Sequence, residues 1–174
     1  MAEQKILYLS RADVESVNLP MKEIIDLLEK AFLEKGNGRV EMPPKPGVHT
    51  MPDAFIHAMP AYIPSMRSAG IKWVSGSAVD FDSYWTREAL AQKDRISTDD
   101  HAQFQYYKSV GYFQQTPEPY ADLGEMVAGL KPGRVDEKER TLAINLGLAM
   151  DEMAVAQAIY QCAKEKGLGM WLPL

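Results

Sequence analysis

Residues 54–63, AFIHAMPAYI, and residues 70–75, GIKWVS, decide the fold of the first half of this chain. Each is a short run of β-branched, aromatic and apolar residues, and the turn-like PSMRSAG separates them. That pattern predicts two strands. Working outward, KILYL (5–9) reads as a third short strand. Ser10 is placed to cap a helix over 11–17, with Asp13 in its first turn. Pro20 opens a second helix, MKEIIDLLEKAFLEKG, whose Ile24, Ile25, Leu27, Leu28, Phe32 and Leu33 recur at helical spacing. Gly36 and Gly38 end it. RVEMPPKPGVH (39–49) holds Pro43, Pro44 and Pro46, which remove ladder donors and predict an edge strand or extended rim. Up to Gly76 the reading is a compact α+β unit with a mixed or antiparallel sheet.

Beyond Gly76 the character changes to alternating helices and short strands, as in parallel α/β pieces. The strand-like runs are RIST (95–98) and TLAINLGL (141–148). Thr86 caps a short helix, Asp99 is expected to cap DDHAQFQYYKSVG, and ADLGEMVAG forms another helix. DEMAVAQAIYQCAKEKG is amphipathic and ends at Gly167, and LGMWLPL (168–174) is a terminal strand. Two strand-like runs are few for a parallel sheet of its own.

The 174 residues carry a net charge of −5, with 46% hydrophobic and 25% charged residues. That balance excludes a disordered chain, and the missing basic footprint argues against nucleic-acid binding. No apolar run approaches the length of a membrane span, and no signal peptide is expected at the N-terminus. The lone Cys162 excludes an intrachain disulfide and points to a reducing, cytoplasmic setting. His49, His57 and His101 lack metal-ligand spacing.

Four stretches taken together carry a resemblance. They are LYLSRADVES, MPPKPGVH, FIHAMPAYIP leading to AGIKWVSG, and the run LAINLGLAMDEMAVAQAIYQCAKEKGLGMWLPL. In their order and spacing the chain resembles the ornithine cyclodeaminase/μ-crystallin family, which includes an archaeal type of alanine dehydrogenase. The resemblance covers two blocks, about 1–76 and about 78–174. Members of that family carry a nicotinamide-dinucleotide domain between such blocks, marked by G-x-G-x-x-G at a strand-to-helix turn. This sequence has no such string. Gly36-Asn37-Gly38 and Gly167-Leu168-Gly169 both follow helices.

The resemblance therefore implies an α+β protein with two parts. Residues 1–76 and 168–174 form a substrate-binding and dimerisation domain, a mixed sheet with flanking helices. Residues 77–167 are a fragment of a doubly wound α/β domain with a C-terminal helix. It also implies a truncated family member, a homodimeric scaffold that binds no cofactor itself, although full-length relatives use NAD(P). The alternative is an NAD(P)-dependent amino-acid or imine oxidoreductase, or a cyclodeaminase, acting on a small amino acid.

The site residues follow from the same resemblance. Lys72 matches a lysine that holds the substrate carboxylate or carbonyl, and is expected to be the main counter-charge; otherwise it is a strand lysine whose head reaches solvent. Lys45, the second counter-charge, stands where the ornithine enzymes have an arginine fork. His57 stands where they have a glutamate, and a structural histidine is the plain alternative. Met59, with Pro60, matches a Met-Pro at the pocket floor, or is simply core. Asp80 is the first choice and Asp82 the second for the catalytic carboxylate; both also suit a turn ahead of Thr86. Tyr106, Tyr107, Tyr112 and Phe113 read as packing or an interface.

Overall fold

The computed structural model describes residues 4–52, 54–77 and 81–174. Strand β1 (Lys5–Tyr8) pairs antiparallel with the last strand, β8 (Met170–Pro173), so the two ends of the described chain form one ribbon. Helix α1 (Arg11–Val17) starts at Ser10 in a reciprocal cap. The Asp13 backbone N–H donates to Ser10 Oγ at 3.2 Å, and the Ser10 N–H donates to the Asp13 carboxylate at 2.8 Å. Asn18 stops the helix in the left-handed region, φ 51°. Helix α2 (Met21–Gly36) follows directly after Pro20.

The prolines at 43, 44 and 46 keep most of 39–46 out of a ladder, and one isolated bridge, Glu41 to Tyr62, fastens it. Strands β2 (Gly47–Met51), β3 (Ala54–Ile63) and β4 (Ser68–Ser77) then form an antiparallel sheet in that order. A turn of 3-10 helix, Pro64–Met66, joins β3 to β4, and Arg67 takes φ 51° to complete it. Alternation decides the two faces. Met59, Ala61 and Ile63 of β3 are buried, while Tyr62 on the opposite face is exposed. The N-terminal part is antiparallel throughout, and β1 lies in the terminal ribbon, apart from the β2–β3–β4 sheet.

Helix α3 (Arg87–Gln92) is capped by Thr86, as its sequence predicts. Strand β5 (Arg95–Thr98) leads into helix α4 (His101–Ser109), and the short strand β6 (Ala121–Asp122) leads into helix α5 (Leu123–Val127). Strand β7 (Thr141–Ile144) leads into helix α6 (Ala149–Lys166). These strands form a parallel sheet in the order β6–β5–β7. The third strand, β6, is only two residues long and is not among the strands the sequence predicts. Asp100, not Asp99, caps α4, accepting from the Ala102 and Gln103 backbone N–H groups. Asp99 is drawn elsewhere, as described below.

Two cores result. The first joins α6 to the antiparallel sheet and to α2 through Ala31, Met59, Ala61, Ile63, Leu148, Ala149, Met150 and Ala154. Small side chains let α6 lie close to the sheet: a Cβ on Gly70 would stand 2.5 Å from Met153 Sδ. The second core, under the parallel sheet, gathers Leu90, Ile96, Phe104, Phe113 and Ile144. Helix α6 packs on β3 and β4, with Ala149, Met150 and Ala154 of the helix and Leu148 just before it in this first core.

The two parts are joined by a buried contact. A Cβ on Gly36 at the end of α2 would overlap the Gly124 carbonyl oxygen of α5. Beside it, Lys35 Nζ bridges Asp122 at 2.7 Å and Asp100 at 3.2 Å, the carboxylates that cap α5 and α4. Burial works against the Lys35 charge, but Asp122 and Asp100 outweigh it and raise its pKa.

Candidate functional site

A cavity of about 590 Å³ opens between the inner face of the antiparallel sheet and helix α4. One wall carries Lys45, His57, Met59 and Lys72, four of the six residues singled out in the sequence. The geometry of β3 and β4 explains the grouping. Met59 and Lys72 are direct cross-strand partners, and His57 pairs with Val74 two steps along the same face. Lys45 arrives from the proline-rich rim, where the Pro46 carbonyl accepts from the Ala58 N–H at 3.0 Å.

The two lysines differ. Lys72 is ion-paired with Glu152 in the first turn of α6. Lys45 Nζ donates to the Leu146 carbonyl at 2.9 Å and lies 5.7 Å from the centre of the Tyr107 ring. Among the described residues, no carboxylate stands within ion-pair distance of it. Burial, with the nearby Lys72 charge, holds the Lys45 ammonium below the usual lysine range, against the pull of Asp99. Burial also lowers the His57 pKa, helped by the Lys45 and His49 charges, so the imidazole stays neutral at ordinary pH. His57 stacks on Phe55 with centroids 4.3 Å apart.

Behind this wall, Asp99 is almost fully buried and accepts from the Leu146 N–H at 2.8 Å and the Gly147 N–H at 2.6 Å. That pair of bonds takes Asp99 away from the α4 cap and fixes the segment that carries the Leu146 carbonyl. Gly147, at φ +75°, makes the turn possible. Burial raises the Asp99 pKa, opposed by those two N–H groups. Asp151, also at the start of α6, is pushed up to about 6 by burial, with Asp99 and Glu152 adding to the shift.

Asp82 accepts from the Gln114 and Gln115 backbone N–H groups at 3.1 and 3.0 Å, which orders the loop after α4. Asp80 lies outside the described residues. The opposite wall was not anticipated as part of a site: Phe81, Tyr84, Tyr106, Tyr107 and Tyr112 line the cavity. The sequence shows the cluster of rings, but nothing local in it says that they face Lys45.

Comparison with known proteins fixes the family. Residues 4–86 and 77–167 match the model of the ornithine cyclodeaminase/mu-crystallin family in two stretches. The chain belongs to that family. A segment of 70 residues, 40% of this chain, is 46% identical to the nodulation efficiency protein NfeD of Rhizobium meliloti and covers 22% of that protein. A segment of 50 residues, 29% of this chain, is 42% identical to the alanine dehydrogenase of Archaeoglobus fulgidus and covers 16% of it. The matched segments thus span a minor part of these relatives. The fold is similar to an archaeal alanine dehydrogenase dimer with bound NAD (TM-score 0.76, 17% identity, 98% of this chain and 100% of that one). It is also similar to the Thermococcus litoralis Delta(1)-pyrroline-2-carboxylate reductase, solved with NADH and L-proline (TM-score 0.71, 17% identity, 95% and 99%).

The described residues do not fit a dinucleotide. Pyrophosphate binding at a parallel sheet needs open backbone N–H groups at a strand-to-helix turn. The β5–α4 turn instead holds the buried carboxylates Asp99 and Asp100. The β6–α5 turn is closed by a reciprocal cap between Asp122 and Glu125. At the β7–α6 turn the Leu146 and Gly147 N–H groups are already bonded to Asp99. Among the described residues no cluster of His, Cys, Asp and Glu could hold a metal ion, and no helix is long and apolar enough to cross a membrane.

Proposed function

We propose that this chain is a family member cut down to its substrate-binding part and a three-stranded remnant of the nicotinamide domain. It binds a small 2-amino or 2-oxo acid in the Lys45–Lys72 cavity without turning it over. Lys45 carries this reading. A half-buried ammonium that faces a cavity, with no ion-pair partner among the described residues, is a charge whose desolvation a ligand carboxylate would offset. Lys45 is therefore the leading counter-charge and Lys72, already shared with Glu152, the second. Neutral His57 is placed to accept from a ligand ammonium or to donate to a carbonyl oxygen.

Inactivity follows from chemistry. Oxidising an amino acid at its α-carbon, or reducing the corresponding imine, transfers a hydride and needs a carrier for it, and the acidic turns described above argue against one in this chain. The family match breaks into two stretches that meet at 77–86, while the likeness to the solved dehydrogenases reaches both ends of both chains. Both observations support an internal deletion. Our domain reading accordingly places residues 1–76, α6 and β8 in one unit and the span from 81 to 144 in the other.

The same reading includes a homodimer. Val48, Ile71 and Trp73 lie on the outer face of the antiparallel sheet at 61%, 63% and 69% exposure, a patch that a second copy would cover. The dimeric archaeal alanine dehydrogenase supports it.

Calorimetric titration tests the function. Pyruvate and alanine should bind the wild-type chain, and Lys45→Met should weaken both at least tenfold, while NAD and NADH give no heat at micromolar concentration. Saturable micromolar binding of either cofactor would overturn the proposal. Light scattering at tens of micromolar should give the dimer mass, and a monomer would remove that part.

A further inference from the structure

The cavity is larger than the head group of a small acid needs. Its volume of about 590 Å³ falls in the range that binds drug-sized ligands. Lys45, Lys72 and His57 account for one wall. The other is built from rings. Tyr107 stands edge-on to Phe81, Tyr106 and Tyr112, with centroids 5.6, 5.5 and 5.8 Å away. Phe81 also meets Tyr112 edge-on at 5.5 Å.

This wall is rigid where it leaves the cavity and open where it faces it. Phe81 stacks on Phe113 at 4.7 Å, and Phe113 stacks on Phe104 at 4.8 Å. Phe104 and Phe113 are both buried in the second core, so the rings are anchored before any ligand arrives. Tyr106 and Tyr84 at the rim are 44% and 58% exposed. Rings held in place and left partly uncovered lose little freedom when another ring joins them. Lys45 Nζ, 5.7 Å from the Tyr107 ring, ties the two walls together. A carboxylate on Lys45 would therefore stand beside the Tyr107 ring, with Tyr112 packed against that ring.

We infer that the site selects 2-oxo or 2-amino acids that carry an aromatic side chain, over the aliphatic acids with the same head group. This rests on the reading of Lys45 and Lys72 as the head-group wall, and the test separates the two. Pyruvate, phenylpyruvate and indole-3-pyruvate share one head group and differ only in the ring. Calorimetry on the full chain should show both aromatic acids binding at least tenfold tighter than pyruvate, the effect of burying a ring. Tyr112→Leu, and separately the rim variant Tyr84→Leu, should reduce that ratio at least threefold. Lys45→Met should weaken all three ligands by a similar factor.

Equal affinity for pyruvate and phenylpyruvate in the wild-type chain, with Lys45→Met still weakening both, would overturn the selectivity and leave the head-group reading standing. Affinities unmoved by both Lys45→Met and Lys72→Met would overturn the head-group reading. An aromatic preference that persists undiminished in both tyrosine variants would place the ring elsewhere and also overturn the inference. The wild-type ratio decides even if one variant fails to fold.

Discussion

The two cores are built on opposite economies of side-chain volume. The first packs an 18-residue helix on a sheet through alanines, methionines and a few aliphatic residues. Many modest contacts share its stabilisation. The second is small, and its largest fully buried side chains are Phe104 and Phe113, stacked on each other. Stabilisation there is concentrated in two rings. A parallel sheet of two- and four-residue strands offers few ladder bonds, so the rings take over what neighbouring strands supply in a longer sheet. Distributed packing tolerates change, and concentrated packing does not.

The largest expected effect breaks this contrast directly. Phe104→Ala should cost about 4 kcal/mol in denaturant melts. Hydrogen exchange should then speed up at 95–98 and 141–144 while 21–34 stays protected. Equal loss in both regions would mean that the cores unfold as one unit. Next comes the joint between them. Lys35→Met leaves Asp100 and Asp122 buried beside each other without their cation, at a cost of about 3 kcal/mol, read from the denaturation midpoint. Gly36→Ala forces α2 away from Gly124 and should cost about 2 kcal/mol. It should accelerate exchange at α5 more than at α6.

The smallest effect is a matter of pH. Burial raises the Asp151 carboxyl from 3.8 to about 6 in the folded chain. Between those values the folded chain holds a proton that the unfolded chain has released. The favourable contribution of that proton is complete below 3.8 and is lost as pH rises through about 6. Asp151→Asn should remove this slope. Because Asp151 is partly solvated, the wild-type chain should lose about 1 kcal/mol relative to the variant between about pH 4 and pH 7, measured by urea melts across that range.

What could be read in advance was what neighbouring residues decide among themselves. The Ser10–Asp13 cap, α2 after Pro20 and α3 behind Thr86 rest on contacts a few residues apart, and the hairpin of β3 and β4 grows from the close pair Ile63 and Ser68 at its turn. Local spacing also put His57 and Met59 on one strand face, and the family likeness added Lys45 and Lys72. What escaped was set by distant partners. Asp99 looked like the cap of α4 because nothing nearby reveals the Leu146 and Gly147 N–H groups, 47 and 48 residues away. The Lys72–Glu152 pair spans 80 residues. Strand β6 is too short to leave a periodicity. The tyrosines of α4 were visible as a cluster, but the face they present is chosen by Phe104 turning into the second core.

Ile144 closes the second core and Leu148 opens the first. Three residues of backbone separate them, and Asp99 pins two of those residues. A connection so short and so fastened cannot act as a hinge, and the Lys35 bridge restrains the far side. The cavity between the cores is thus gated by side chains and not by domains. A ligand of the proposed kind would pass the exposed rim rings Tyr84 and Tyr106, and exposed side chains change rotamer on the picosecond-to-nanosecond scale, not on the microsecond-to-millisecond scale of closing domains. Association at this site should therefore run near the encounter rate and follow single-step kinetics, with no slow isomerisation after binding.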